Sequence, residues 1–234
     1  RIKYVKRIGA VFGQKSQLIW DIPPIDSFAM NKAIYGISND DYEKRLKEMT
    51  ALFDIEEVIH KPTRVLSLGE RMKCEFVMSM LHQPEIVFLD EPTIGLDVIA
   101  KAKIREVIGE MNRRGTTFIL TTHDLEDVEQ LAHRVIIINH GKKVFDDELQ
   151  SLKSTLGNKK IITLSLAEDY TAKDLGGVEV IRGDNPRKIS VELDLDKQGI
   201  REFLNSVNET VSFMDISIKE LPMDRIITKI YNEE

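Results

Sequence analysis

The sequence predicts an α/β protein with a helical insertion, followed by a smaller α+β part. Three observations carry that expectation. Short apolar runs alternate with helical stretches through the first half, a long helical segment interrupts them, and stripes of period two take over towards the C-terminus.

Tyr4 to Phe12 is short, apolar-rich and ends at Gly13, so it reads as a buried strand running into a loop. Asp21 to Pro24 breaks the chain, and Ile25 to Pro84 is mostly helical in pattern. Within it, Asn39-Asp40-Asp41 is expected to cap a helix whose apolar positions Leu46, Met49, Leu52 and Phe53 recur at helical spacing. Ile86-Val87-Phe88-Leu89 is a second strand ending in charge. A helix over about Val98 to Asn112 follows, then the run Thr117 to Thr121 and a helix over about Leu125 to Ala132. Val135-Ile136-Ile137-Ile138 is expected as a fourth strand before the turn at Asn139-His140-Gly141. Alternation of this kind implies a largely parallel sheet covered on both faces. Met72, Met78 and Met80 read as core filler, and Lys101, Lys103 and Arg105 as a solvated helix face.

After a helical segment from Glu148 to Leu156, Ile162, Leu164 and Leu166 alternate, as do Ile189, Val191, Leu193 and Leu195. Ile200, Phe203, Leu204 and Val207 follow helical spacing, with a strand around Phe213 to Ile218 and a last helix from about Met223. The expected order is strand, short helix, two strands, helix, strand, helix, an α+β ferredoxin-like arrangement with helices on one face of an antiparallel sheet.

Composition narrows the function. Lys and Arg number 33 against 39 Asp and Glu, a formal charge of −6, so a general nucleic-acid binder is not expected. Apolar residues make up 42%, enough for an ordinary core, yet no run approaches the roughly 20 residues needed to cross a bilayer. The single cysteine, Cys74, cannot form an internal disulfide, which fits a reducing compartment.

The sharpest local feature is Leu89-Asp90-Glu91-Pro92-Thr93: two adjacent carboxylates at the carboxyl end of a buried strand, where open α/β sheets bind ligands. Thr121-Thr122-His123-Asp124 closes the next strand, so parallel order brings His123 to the same edge, where imidazole can bond a phosphate oxygen or hold an attacking water. Ser67, in Leu66-Ser67-Leu68-Gly69-Glu70, is a natural N-cap, and Gly69 lets backbone N–H groups approach an anion at a positive helix terminus. Gly95-Leu96-Asp97 is a tight turn leaving the acidic pair, and Gln14 lies in the loop after the first strand.

In this order the five features resemble the ATP-binding cassette (ABC) ATPases of membrane transporters. The resemblance identifies Gln14 with the Q-loop glutamine, Ser67, Gly69 and Glu70 with the signature motif, and Ile86 to Asp90 with Walker B. It also identifies Glu91 with the catalytic base, Asp97 with the D-loop and His123 with the switch histidine. Val11 to Leu18, with Trp20-Asp21 after it, looks like the branch serving two-subunit exporters of drugs, polysaccharides or ions. The resemblance implies ATP and magnesium as cofactors. Asp90 and Gln14 would lie at the metal; Gln14, Ser67, Gly69, Glu70 and Asp97 would contact nucleotide. It further implies a head-to-tail ATPase dimer, an integral membrane permease as partner, no nucleic acid, and a place on the cytoplasmic face of the cell membrane.

Two departures accompany it. The signature reads Leu-Ser-Leu-Gly-Glu where the family usually has Leu-Ser-Gly-Gly-Gln. No Gly-x-x-x-x-Gly-Lys followed by Ser or Thr occurs: the only Gly-Lys pair, Gly141-Lys142, precedes Lys143 and has Ile136 where the first glycine should stand. The resemblance therefore leads one to expect residues 1–155 as a cassette without its Walker A part, with a helical subdomain over about 22–84, and residues 156–234 as an accessory domain. The missing P-loop would be encoded upstream of Arg1. A second reading is a catalytically incomplete module that donates only its signature face and a permease-docking groove. A third, a soluble cassette ATPase of DNA repair or translation, fits less well, because the insertion has no long heptad array and there is one motif set.

Overall fold

The computed structural model describes residues 2–154, 158–171, 175, 178, 180–182 and 184–232. Contacts divide the chain into two units, Arg1–Leu131 and Ala132–Glu234.

The first unit is built on a parallel sheet. A helical turn, α1 (Ile2–Val5), precedes strand β1 (Ile8–Phe12). The strand expected from Tyr4 thus begins at Ile8, because the Arg7 N–H turns back to the Tyr4 carbonyl at 2.9 Å and its guanidinium is held by Glu85. After the insertion come β2 (Ile86–Asp90), α5 (Val98–Arg113), β3 (Thr117–Thr121) and α6 (Leu125–Leu131). The strands lie in the order β1-β2-β3, in a register that sets Phe12, Asp90 and Thr121 side by side. Val11, Val87 and Leu89 are buried in the core with Phe118 and Leu120 packed against it, whereas Phe12, Phe88 and Ile119 are exposed. One face is therefore covered, not both as expected.

The insertion holds α2 (Pro24–Tyr35), α3 (Asn39–Phe53), two short 3₁₀ turns and α4 (Leu68–Met80). Pro24 opens α2, and Gly36 closes it at φ 68°, a left-handed value that costs glycine little. Ser38, one residue ahead of the expected cap, accepts the Asp41 N–H at 3.2 Å and starts α3. Phe28, Phe53 and Phe76 are fully buried; the rings of Phe53 and Phe76 lie 5.8 Å apart. Met72 and Met80 are buried and Met78 packs against the same core, as anticipated.

In the second unit, β4 (Arg134–Asn139) and β5 (Lys142–Glu148) form an antiparallel hairpin. Val135 to Ile138 is thus not a strand of the parallel sheet. His140 (φ 46°) and Gly141 (φ 76°) make a two-residue turn with both φ values positive, which matches strand twist and folds the next segment straight back. Helix α7 runs Leu149–Ser154; the end expected for it, at Leu156, lies outside the described residues. Then come β6 (Lys159–Leu166), β7 (Val180–Arg182), β8 (Lys188–Asp194), α8 (Ile200–Thr210), β9 (Phe213–Glu220) and α9 (Met223–Asn232). The sheet order is β7-β8-β6-β9, all antiparallel, so the first strand lies between the third and fourth in a ferredoxin-like arrangement. The inward stripe Ile162, Leu164, Leu166, Ile189, Val191 and Leu193 buries against Phe203 and Val207. The short helix expected between β6 and β7 falls largely outside the described residues. Among the described residues no helix is long and apolar enough to cross a membrane.

Candidate functional site

Parallel pairing brings three predicted residues to one edge of the first unit. Asp90 ends β2, and its Oδ1 accepts the Thr121 hydroxyl at 2.6 Å from the facing end of β3. Glu91 then turns out of the sheet at φ 50°, a left-handed value uncommon for a residue with a side chain. Its N–H donates to the Thr121 carbonyl at 3.0 Å, which holds that conformation. The Glu91 carboxylate Oε1 lies 2.9 Å from Nδ1 of His123. The His123 ring is otherwise open, with 74% of the side chain exposed. Hydrogen bonding to Glu91, and then its charge, raise the His123 pKa above the ordinary histidine value. As an imidazolium, His123 donates from Nδ1 to the carboxylate and keeps Nε2–H free for an anion.

Gln14 joins this edge through its neighbour. The Gly13 N–H donates to the Asp90 carbonyl at 2.8 Å, and a Cβ on Gly13 would lie 2.1 Å from the Glu91 carbonyl oxygen. Only glycine permits that approach, and exposed Gln14 follows it directly.

The second group gathers at the start of α4. Ser67 Oγ accepts the Glu70 N–H at 3.2 Å, while Glu70 Oε2 accepts the Ser67 N–H at 2.8 Å, a complete capping box. That backbone bond, more than any other contact, holds the Glu70 carboxyl below its usual pKa. Glu in place of Gln thus turns back onto its own helix end. A Cβ on Gly69 would meet the Ala100 Cβ at 3.0 Å, so this glycine also serves close packing of α4 on α5. Gly95 sits at φ 71° with Leu68 close by, and Asp97 caps α5, its Oδ1 accepting the Ala100 N–H at 2.9 Å. No hydrogen bond among the described residues joins this group to the Asp90 edge.

Sequence reasoning missed the support behind the edge. Arg105, expected on a solvated face, is buried: its Nε donates to Asp127 Oδ1 at 2.6 Å, and Nη1 lies 3.0 Å from Glu126. Asp127, fully buried, also accepts the Thr93 hydroxyl at 2.5 Å and the Thr122 hydroxyl at 3.3 Å. One carboxylate therefore anchors the segment after Glu91 and the residue before His123. Lys101 pairs with Asp124 and Lys103 with Asp54, so that helix face is ion-paired.

The donors present match part of a metal–nucleotide site. Among the described residues no group of three or more His, Cys, Asp and Glu could hold a metal ion. A metal at Asp90 would draw its remaining ligands from water and from phosphate, which suits magnesium. The groups that grip phosphate in a P-loop are not encoded in these 234 residues.

Comparison with known proteins bears on the fold and the family. A family described as "AAA domain, putative AbiEii toxin, Type IV TA system" matches residues 23–127. The daunorubicin/doxorubicin resistance ATP-binding protein DrrA of Streptomyces peucetius is 26% identical over 95% of this chain and 69% of its own length. The ABC transporter ATP-binding protein NatA of Bacillus subtilis is 27% identical over 63% of this chain and 60% of its own length. The energy-coupling factor transporter ATP-binding protein EcfA of Methanococcus maripaludis is 32% identical over 58% and 49%. The chain is thus similar, over most of its length, to ATP-binding proteins of ABC transporters. Two solved ABC structures share the cassette fold. An ATP-binding subunit of an ABC transporter has a TM-score of 0.60 at 23% identity, covering 67% of this chain and 65% of that one. CbiO1 of Clostridium perfringens scores 0.58 at 24% identity, covering 64% and 61%. The chain spans about half to about two thirds of the length of most of these relatives.

Proposed function

We propose that this chain is the Walker B, signature and switch-histidine part of the ATP-hydrolysing subunit of an ABC transporter that powers export through a separate membrane permease. The observation that carries the reading is the contact of Glu91 with His123 beside Asp90 at the carboxyl edge of a parallel sheet. Glu91 would polarise the attacking water, oriented by Nδ1–H of His123, while Nε2–H of His123 meets the γ-phosphate. Asp90, with Gln14, would hold magnesium through water, and the ion, when bound, neutralises charge on the β- and γ-oxygens. Ser67 and the amides near Gly69 and Glu70, with Asp97, would face the nucleotide of a second ATPase subunit in a head-to-tail dimer. We assign residues 1–155 to the cassette, with the helical subdomain at about 22–84, and 156–234 to an accessory domain.

Exposed Trp20, Met30, Ile34 and Val65 lie in or beside the helical insertion and would seat the permease, which puts the chain on the cytoplasmic face of the membrane. The DrrA name supports export, whereas EcfA is named for an energy-coupling factor transporter. The test is to co-purify the complete gene product with a polytopic membrane subunit, reconstitute both, and measure magnesium-ATP turnover and the direction of movement. A complex without turnover refutes hydrolysis, and inward movement refutes export. The second reading is a module that lends only its signature face and a permease-docking groove. Micromolar binding of labelled ATP by the 234-residue chain refutes it.

A further inference from the structure

Glu75 lies on α4, two turns beyond Ser67, and only 2% of it is exposed. Its helix neighbours Cys74, Phe76 and Val77 are buried too, and an apolar side chain at position 75 would cost nothing in desolvation. Its Oε1 accepts the Ser16 hydroxyl, the Gln17 N–H at 2.9 Å and the Leu18 N–H at 3.4 Å. The other oxygen, Oε2, is buried with no hydrogen-bond partner among the described residues. Burial pushes the Glu75 pKa up, and the bonds from Ser16, Gln17 and Leu18 oppose that rise. The segment from Gln14 to Leu18 forms no helix or strand, so these bonds stand in for secondary structure. On its far side the Gln17 side chain donates to the Ala10 carbonyl of β1 at 2.8 Å.

We propose that Glu75 is a positioning residue: its buried carboxylate ties the loop carrying Gln14 to the helix that begins at Ser67, so that the two segments move as one body. The importance of the tie rests on the function proposed above, in which Gln14 lies on the metal side of one nucleotide and Ser67 faces another. A displacement at either end then reaches the other through the Glu75 side chain, in addition to the bonds of Thr63 and Arg64 to the Ile22 and Trp20 carbonyls.

Amide hydrogen exchange of the 234-residue chain, without nucleotide, tests the tie. In Glu75→Leu the Gln17 and Leu18 amides are expected to exchange at least about tenfold faster than in the wild type, the loss expected for a bond to a charged acceptor. Amides of β1, β2 and β3 are expected to be unchanged. Glu75→Gln keeps an acceptor oxygen and should restore protection to within about threefold of wild type. Unchanged protection of Gln17 and Leu18 in Glu75→Leu overturns the proposal, and so does an equal rise throughout the sheet, which would mean that Glu75 only fills the core. If Glu75→Leu does not fold, Glu75→Ala takes its place, and unchanged exchange of the Gln17 and Leu18 amides in that variant refutes the tie. Because no nucleotide is present, failure here is separable from failure of the hydrolytic reading.

Discussion

Replacing Arg105 with Met is expected to destabilise the first unit far more than loss of a surface ion pair would. Asp127 is wholly buried, and Arg105 is its only cationic partner among the described ion pairs. Without the guanidinium, its carboxylate keeps only the hydroxyls of Thr93 and Thr122. Removing one member of a buried pair costs about 3–5 kcal/mol, because the remaining charge stays buried and uncompensated. The lost contact with Glu126, whose side chain is mostly exposed, adds at most about 1 kcal/mol. Urea unfolding followed by Trp20, the chain's single tryptophan and a residue of the first unit, reads the change directly. The double variant Arg105→Met with Asp127→Leu should recover more than half of the loss, since it removes the charge as well as its partner. A loss below about 1 kcal/mol in Arg105→Met, or simple additivity in the double variant, refutes the reasoning.

Two further outcomes follow from the same edge. Gly13→Ala places a methyl group against the Glu91 carbonyl and forces the backbone apart, at a cost of about 2 kcal/mol or more by urea unfolding; tolerance of alanine would mean that the loop is not held there. The His123 pKa, raised by Glu91, should fall towards the ordinary histidine value in Glu91→Gln when its ring protons are titrated by NMR. The folded-state value is the higher one, so protonation of His123 favours the fold fully below the ordinary histidine pKa and ceases to do so as pH rises through the raised value. Identical midpoints in the two proteins would contradict the contact.

The edge was legible because it depends on strand order alone. Once Ile86 to Leu89 and Thr117 to Thr121 read as consecutive parallel strands, Asp90, Glu91 and His123 had to lie at the same end. The cap at Ser67 was equally local, four residues of one helix start. What sequence could not give was side-chain pairing over distance. Lys101, Lys103 and Arg105 have the charge pattern of a solvated face, yet their partners Asp124, Asp54 and Asp127 lie on other elements. Glu75 interrupts an apolar stretch without a local reason, and its donors lie 57 to 59 positions earlier in the chain. The β4–β5 hairpin was missed for another reason. The turn at Asn139-His140-Gly141 was visible, but Lys142 to Asp147 lacks the clean alternation that marks a half-buried strand.

The central claim is that Glu91 activates water for ATP hydrolysis, and steady-state turnover by the complete gene product with its permease tests it most directly. Glu91→Gln keeps the size of the side chain and removes its basicity. It is expected to lower kcat by at least about 100-fold, the usual contribution of a general base, while binding of magnesium-ATP is retained. Undiminished turnover in Glu91→Gln would contradict the account.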